Sequence, residues 1–257
     1  MVCLSFDIEE FDMPLEYNGK IDFEEQISVS RMGTEIILDL LKKYDIKATF
    51  FSTVIFAENN QDLIQRLIKE GHELASHTYY HSQFDTEDLK KSKDKLEELF
   101  GKKIYGLRMP RMRDVDETEV HEAGYFYNSS VNPTLLPGRY NNLHVSRMSF
   151  MEEGVLQIPA SVTPRVRFPL FWLSFHNLPL SVYLEMAKTT YLKDNFLNIY
   201  FHPWEFMDIS KKEYQLPFYA KRNMGKKMIE RFEEFLSWIN ENEYSTNTLK
   251  EYAELQA

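Results

Sequence analysis

The regular alternation of short apolar runs with longer amphipathic segments most constrains the fold of this chain. The short runs are rich in β-branched and aromatic residues, which favours strands, whereas the longer segments repeat apolar residues at helical spacing. This alternation predicts a parallel sheet flanked by helices. Strands are predicted at residues 2–7, 48–52, 72–76, 105–108, 155–158 and 197–201 and near residues 126 and 244, and helices at residues 35–43, 61–69, 86–100, 117–123, 181–192 and 223–239 and at the C-terminus.

Polar residues at the ends of predicted strands favour a barrel over an open, doubly wound sheet. These residues end a strand or follow it directly: Asp7, His77, Arg108 and His202. In α/β barrels the carboxyl ends of the strands form the rim on which the chemistry is assembled. The chain has 257 residues and contains neither a repeat nor a linker-like tract, so we expect one domain over residues 1–257.

Charge and composition exclude several classes of function. The formal net charge of -10 disfavours nucleic-acid binding, and the nine glycines form no nucleotide-binding loop. No apolar segment approaches the ~20 residues of a transmembrane helix. Cys3 is the single cysteine and the first residues do not resemble a secretory signal, so we expect a cytoplasmic location, with peripheral attachment to the inner membrane as an alternative. The apolar segment 168–180 is interpreted as core or pocket wall.

The basic residues are unevenly distributed. Between residues 104 and 187 there is no lysine. A guanidinium is a planar fork that suits carboxylate and phosphate groups. This stretch could line a pocket for an anionic or hydroxyl-rich ligand, or could form ordinary surface ion pairs. Its seven arginines are Arg108, Arg111, Arg113, Arg139, Arg147, Arg165 and Arg167.

Two segments contain candidate metal ligands. Four acids crowd into residues 7–12, and crowded carboxylates indicate a bound cation, a proton-sharing base or a solvated acidic loop. His77 and His81 follow an apolar strand at a spacing of four residues, which can place both imidazoles on one side of a turn. Two histidines and a carboxylate leave coordination positions open for water and substrate. A chance pair of histidines is the alternative.

Two further segments contain candidate catalytic residues. Arg108, at a strand end and followed by Met109 and Pro110, can orient a buried carboxylate or form a structural ion pair. His202 leaves an apolar strand beside Pro203 and Trp204, which suits a general acid with a tuned pKa. A satisfied core histidine is the alternative.

In their order along the chain, these segments resemble the polysaccharide deacetylase family of the NodB-homology, carbohydrate esterase family 4 type. Residues 77–81 fit the His-[Ser/Thr]-x-x-His metal motif, residues 108–110 the Arg-x-Pro motif and residues 199–202 the late histidine motif. Residues 127–130 and 202–205 are similar to those of a subgroup associated with exopolysaccharide synthesis. The resemblance extends over residues 4–204.

This resemblance implies an α/β fold, a distorted (β/α) barrel of about seven parallel strands. It also implies hydrolysis of the N-acetyl group of an amino sugar in a polysaccharide or its precursor. Asp7 would be the general base held by Arg108, and His202 the acid. A divalent metal, with zinc as the expected ion, would be bound by His77 and His81. Substrate contacts are predicted for Arg111, Tyr127 and Trp204.

Two departures from the family pattern affect the site. Ile8 follows Asp7 where the family has a metal-binding aspartate, so Glu9 is predicted as the replacement ligand. Arg111 replaces the usual aromatic residue after Arg-x-Pro, whose backbone amide stabilises the oxyanion. An amidohydrolase that acts on a cyclic amide or ureide, such as allantoin, and a non-catalytic glycan-binding barrel remain alternatives. An anionic sugar substrate is one option, and the sequence leaves the oligomeric state open.

Overall fold

The structure, a computed structural model, describes residues 1–256. Within this range, the strands are β1 Val2–Ile8, β2 Thr49–Ser52, β3 Glu73–Ser76, β4 Gly106–Leu107, β5 Tyr127–Asn128, β6 Leu135–Leu136, β7 Tyr140–Asn141, β8 Phe150–Glu152, β9 Val155–Gln157 and β10 Leu197–Phe201. The α-helices are α1 Met13–Glu16, α2 Phe23–Lys43, α3 Val54–Asn59, α4 Gln61–Lys69, α5 Glu87–Phe100, α6 Glu117–Glu122, α7 Trp172–Asn177, α8 Leu180–Asp194, α9 Phe218–Lys221, α10 Lys226–Glu241 and α11 Leu249–Gln256.

Eight strands form the main sheet, in the order β10-β1-β2-β3-β4-β5-β9-β8. From β10 to β9 every neighbouring pair is parallel, and β8 joins the edge antiparallel to β9. β6 and β7 form a separate hairpin. The predicted number of about seven parallel strands is therefore confirmed, with one antiparallel strand added.

The sheet curls until the chain just beyond β9 meets β10. Just beyond β9, the Ser161 amide donates a hydrogen bond to the Asn198 carbonyl oxygen at 2.9 Å. The Asn198 amide in turn donates to Ser161 Oγ at 2.8 Å. This short contact, rather than a full strand ladder, closes the barrel, which confirms the predicted distortion.

The alternation of β1 explains why polar residues lie inside this barrel. Leu4, Phe6 and Ile8 belong to the apolar layer between the sheet and the helices. Side chains alternate between the two faces of a strand, so the intervening positions, Ser5 and Asp7, face the interior. Both are buried.

Helix α11 closes the amino-terminal end of the barrel. Its Leu249 packs in the interior cluster, and the Leu249 amide donates to Thr49 Oγ1 at 2.8 Å. The Lys250 amide donates to Glu73 Oε2 at 2.9 Å. The opposite end, where the strands finish, carries the site.

Two predicted elements differ from the structure. Helix α2 begins at Phe23, well before residue 35, because the Asp22 side chain accepts the Glu25 amide proton at 2.8 Å and caps the helix. The polar first turns of α2 concealed this start. Near residue 244 there is an isolated bridge between Val2 and Thr246 instead of a strand. Among the described residues, no helix is both long enough and apolar enough to cross a membrane.

Candidate active site

A cavity of about 450 Å³ opens at the carboxyl ends of the strands. Arg108 lies directly behind this cavity, in contact with Asp7. The structure thus brings together residues from β1, β10 and the loops after β3 and β4. The predicted site residues that line the cavity are Asp7, Glu9, His77, His81, Arg111, His202 and Trp204.

The three predicted metal ligands converge on one point. Glu9 Oε2 lies 2.9 Å from His77 Nε2 and 3.2 Å from His81 Nε2. The two imidazole rings are nearly parallel, at 18° and with centroids 6.0 Å apart. One ligand atom from each residue lies within 4.8 Å of the other two. Glu9 therefore reaches the histidines despite its shifted position in the sequence.

A left-handed residue between the histidines produces this convergence. Thr78 has φ +65°, a conformation that is unfavourable for a β-branched residue and is found mainly where the surroundings enforce it. Its hydroxyl donates to the Tyr80 carbonyl at 3.1 Å, and its amide donates to Ser76 Oγ at 3.2 Å. The resulting turn brings His81 back beside His77.

Each histidine is oriented through its second ring nitrogen. His77 Nδ1 lies 2.8 Å from the Arg108 carbonyl oxygen, which can only accept a hydrogen bond, so Nδ1 carries the proton. His81 Nδ1 lies 2.7 Å from Asp12 Oδ1. Protonation at Nδ1 leaves the Nε2 lone pair of each ring free to coordinate a metal.

The charges of this cluster fit a divalent cation. Burial raises the pKa of Glu9 to about 8, and the neighbouring carboxylates of Asp7 and Asp12 add to this effect while His81 opposes it. A divalent ion would supply the positive charge that this buried carboxylate needs to be ionised. Two imidazole nitrogens and one carboxylate oxygen are also a donor set typical of catalytic zinc. The residues present therefore fit a metal.

The predicted general base is held by a buried arginine. Arg108 is fully buried, and its Nη1 donates to Asp7 Oδ1 at 2.7 Å. Its guanidinium also lies over the Phe51 ring, 4.2 Å from the centroid. Burial alone would raise the pKa of Asp7, but the charge of Arg108, with a smaller effect from His77, holds it below its usual value. Asp7 is thus a carboxylate.

Ser129 fixes the position of Arg108. Its carbonyl oxygen accepts from Arg108 Nε at 2.9 Å, and its hydroxyl accepts from Arg108 Nη2 at 3.0 Å. Ser5 Oγ accepts from Arg108 Nη1 at 2.9 Å. The stretch 127–130 therefore contributes to the site through Ser129, which sequence reasoning did not single out.

The prediction that Tyr127 contacts substrate needs correction. Its side chain is fully buried, and its hydroxyl donates to Glu73 Oε1 at 2.8 Å. Glu73 is the first residue of β3, whereas the cavity opens where the strands end. Tyr127 therefore packs at the closed end of the barrel and does not line the cavity.

His202 faces the base with one nitrogen and a second carboxyl group with the other. His202 Nε2 lies 3.8 Å from Asp7 Oδ2, and Nδ1 lies 3.0 Å from Glu205 Oε1. The same Glu205 oxygen accepts the His202 amide proton at 2.6 Å. Burial lowers the pKa of His202 to about 3, with Asp7 opposing the shift. Sequence reasoning did not single out Glu205, although this residue lies within the motif at residues 202–205.

Two tryptophans enclose His202. Trp204 stacks on the imidazole at 4.8 Å between centroids and 21° between planes, and only 1% of Trp204 is exposed. Trp204 also packs against Phe11 and Trp172, and it lines the cavity. Trp172 meets the His202 ring edge-on at 5.4 Å and 88°. Trp172 lies in segment 168–180, and its place in the cavity lining agrees with the pocket-wall interpretation of that segment.

Arg111 lies at the cavity wall but is already paired. Its Nη2 donates to Asp12 Oδ2 at 3.2 Å, and its Nε donates to Glu16 Oε1 at 2.5 Å. The residue has φ +59°, so the chain turns sharply after Pro110. Its side chain remains 30% exposed, which leaves it accessible from the cavity.

Comparison with known proteins finds similarity over part of the chain. Residues 22–127 match the sequence model for polysaccharide deacetylases. Over this segment the chain is similar to polysaccharide deacetylases. The chain is 39% identical over 87 residues to an uncharacterized 30.6 kDa protein of Geobacillus stearothermophilus, covering 30% of this chain and 32% of that protein. It is 33% identical over 66 residues to the peptidoglycan-N-acetylmuramic acid deacetylase PdaA of Bacillus subtilis, covering 26% and 25%. These matches span about a third or less of the relatives' own length.

Solved structures with this fold match nearly the whole chain. A Mycobacterium smegmatis protein assigned as a polysaccharide deacetylase superposes with a TM-score of 0.65 at 17% identity, covering 98% of this chain and 88% of that one. The allantoinase PuuE superposes with a TM-score of 0.68 at 16% identity, with the same coverage of both chains. At these identities the likeness shows the fold, and the reaction must be argued from the site.

Proposed function

We propose that the protein is a metal-dependent hydrolase that removes the N-acetyl group of an amino sugar in a polysaccharide or its precursor. The observation that carries this proposal is the convergence of three groups on one cavity. These groups are the Glu9, His77 and His81 cluster, the Asp7–Arg108 pair and His202. Amide hydrolysis needs an activated water, a base for its proton and an acid for the leaving amine. The cavity has a candidate for each requirement.

The residues that would bind the metal are Glu9, His77 and His81. Zinc held by these side chains would polarise the acetyl carbonyl and lower the pKa of a coordinated water molecule. Asp7 accepts the proton of the attacking water, because Arg108 keeps its carboxylate ionised and fixes its direction. The developing oxyanion needs a nearby donor, and we assign the backbone amide of Arg111 to this role.

His202 supplies the proton for the leaving nitrogen. As the carbon–nitrogen bond breaks, the amine takes a proton from Nε2 and the acetyl group leaves as acetate. Because Nε2 lies 3.8 Å from Asp7 Oδ2, the proton taken from water can reach the amine through His202. Glu205 Oε1 lies 3.0 Å from Nδ1 and accepts the His202 backbone amide proton, and so holds the ring in place during this transfer.

The arginines favour a substrate with an acidic group close to the acetylated sugar. The side chains of four of the seven arginines between residues 104 and 187 donate to protein acceptors, whereas the guanidinium groups of Arg113, Arg139 and Arg165 have no acceptor among the described residues. Arg139 lines both the cavity and an adjoining groove of about 870 Å³. The groove wall also contains Arg113 and three acids, namely Asp114, Glu117 and Glu152. We therefore place the acidic group at Arg139, where the two spaces meet.

Acetate release tests this function directly. The purified protein is loaded with zinc and incubated with N-acetylglucosamine oligosaccharides and, separately, with allantoin. Acetate release from the sugars, lost in His77→Gln, is the expected result. Turnover of allantoin, or no reaction of either compound by protein that holds zinc, would contradict the proposal.

A further inference from the structure

Asp12 is a buried acid whose two oxygens contact different parts of the site. It is 6% exposed, and its Oδ1 lies 2.7 Å from His81 Nδ1. Its Oδ2 accepts from Arg111 Nη2 at 3.2 Å. The first contact reaches a predicted metal ligand, whereas the second reaches the turn that forms the cavity wall.

We propose that Asp12 is a positioning residue that orients His81 for metal binding and that Arg111 acts on the metal site through it. The inference rests on the proposed metal-dependent function, since it concerns the ligands of that site. It assigns no direct contact with substrate to Asp12. It also gives Arg111 a role beyond the predicted substrate contact.

The two histidines differ in how their orientation is secured. His77 Nδ1 is held by the backbone carbonyl of Arg108, which no substitution of the Arg108 side chain removes. His81 Nδ1 depends on one side chain, that of Asp12. Without it, a buried N–H group loses its acceptor and the ring can change tautomer or rotate, so that Nε2 no longer points towards Glu9. A substitution of Asp12 can therefore remove the hydrogen-bond acceptor that orients His81.

The alternative role for Asp12, capping helix α1, does not match its geometry. Asp12 occupies the N-cap position of α1, where an aspartate commonly accepts a backbone amide proton. Its side chain makes no such capping hydrogen bond and is instead directed at His81. The carboxylate is therefore used for the histidine rather than for the helix.

Arg111 holds Asp12 in place, because its Nη2 donates to Asp12 Oδ2 at 3.2 Å. Arg111 bridges Asp12 and Glu16, and so ties its own left-handed turn to the segment after β1. A change at Arg111 should therefore reach His81 only through Asp12.

Zinc affinity without substrate tests the inference. The zinc dissociation constant is measured on the full chain by competition with a chromophoric chelator for the wild type, Asp12→Ala, Asp12→Asn and Glu16→Gln. Asp12→Ala should bind zinc about 10- to 100-fold more weakly, the usual effect of removing such a partner. Asp12→Asn keeps an acceptor for His81 and should lose less. Glu16→Gln, the matched control, removes the other carboxylate on Arg111 and should bind zinc as the wild type does.

A double variant tests the order of the contacts. If Arg111 acts through Asp12, Asp12→Ala combined with Arg111→Ala should bind zinc as weakly as Asp12→Ala alone. Additive losses would contradict this part of the inference. Wild-type zinc affinity in Asp12→Ala would overturn the whole inference and leave the proposed deacetylation intact. If Asp12→Ala does not fold, Asp12→Asn decides: unchanged affinity contradicts the inference, and weaker binding at an unchanged melting temperature supports it.

If the proposed deacetylation is wrong, the results differ from those expected if the role of Asp12 is wrong. A wild-type protein that holds zinc in an Asp12-dependent manner but releases no acetate would contradict the proposed function and support the role of Asp12.

Discussion

Arg108 and Asp7 form an ion pair inside the barrel, with 2.7 Å between Nη1 and Oδ1 and neither residue more than 4% exposed. The partners lie on β1 and at the end of β4, so the pair joins strands separated by β2 and β3. Because Ser5 and Ser129 hold the guanidinium, it has little freedom to move. The base is therefore fixed in direction before any substrate arrives.

Arg108→Lys should lower kcat/KM by about 100-fold, since an ammonium keeps the charge but cannot hold Asp7 and Ser129 together. Steady-state acetate release provides the measurement, with circular dichroism to verify folding. Arg147→Lys is the matched control, because Arg147 pairs with Asp194 away from the cavity. Wild-type kcat/KM in Arg108→Lys would show that the direction of Asp7 does not limit the reaction.

Tyr127→Phe should leave kcat/KM unchanged while lowering the free energy of unfolding by about 1 kcal/mol. The hydroxyl contacts Glu73 at the closed end of the barrel, and Glu73 keeps Thr49 and the Lys250 amide as donors. Urea unfolding and acetate release measure the two effects. A loss of activity without a loss of stability would return Tyr127 to the substrate site.

Arg139→Gln should reduce the preference for an anionic substrate. With a hyaluronan tetrasaccharide, in which N-acetylglucosamine neighbours a glucuronate, kcat/KM should fall about tenfold, the value of one hydrogen bond to a charged group. A chitin tetrasaccharide should be unaffected. A parallel assay with UDP-N-acetylglucosamine shows whether the acidic group recognised at Arg139 is a phosphate rather than a carboxylate. Arg165→Gln serves as the control, because Arg165 also lacks a protein acceptor among the described residues and lies outside both spaces. Equal losses of kcat/KM on the neutral and anionic sugars would contradict the placement of the acidic group at Arg139.

Stability should fall in mild acid partly through His72. Burial, with the charge of Lys47, lowers the pKa of His72 to about 4, and its Nδ1 accepts the Ala48 amide proton at 3.2 Å. The pKa of His72 is lower in the folded than in the unfolded protein. The contribution of neutral His72 to the free energy of unfolding is therefore complete above the unfolded-state pKa near 6.5, and it is lost as the pH falls from there towards 4. Between pH 7 and pH 5, the wild type should lose about 2 kcal/mol more than His72→Gln in urea unfolding. Parallel losses in the two proteins would exclude His72 as a cause.

The positions of residues at strand ends were predictable from the sequence. The end of an apolar run shows at which end of the barrel a residue lies, and the strand periodicity shows which face of the sheet it is on. Asp7 ends an apolar strand, and parallel neighbours bring His77, Arg108 and His202 to the same rim. The resemblance then supplied roles for these residues. Glu9 was predicted as the replacement for the metal-binding aspartate that the resemblance implies, and the structure places it against both histidines.

Contacts between distant segments were not predictable from these patterns. Asp12 meets His81 and Trp172 meets His202 only through the fold, and neither local sequence contains a signal for its partner. Tyr127 was misassigned because β5 has only two residues, too few for a periodic pattern that would distinguish the closed end from the open end. The start of α2 was missed because its first turns are polar.

Anomalous diffraction from crystals grown with zinc will show whether one ion is bound by Glu9 and the two histidines. We predict one strong peak at the zinc absorption edge, about 2.0–2.2 Å from His77 Nε2, His81 Nε2 and a Glu9 carboxylate oxygen. A fully loaded protein with its ion elsewhere, or bound by the histidines with Glu9 turned away, would contradict this prediction.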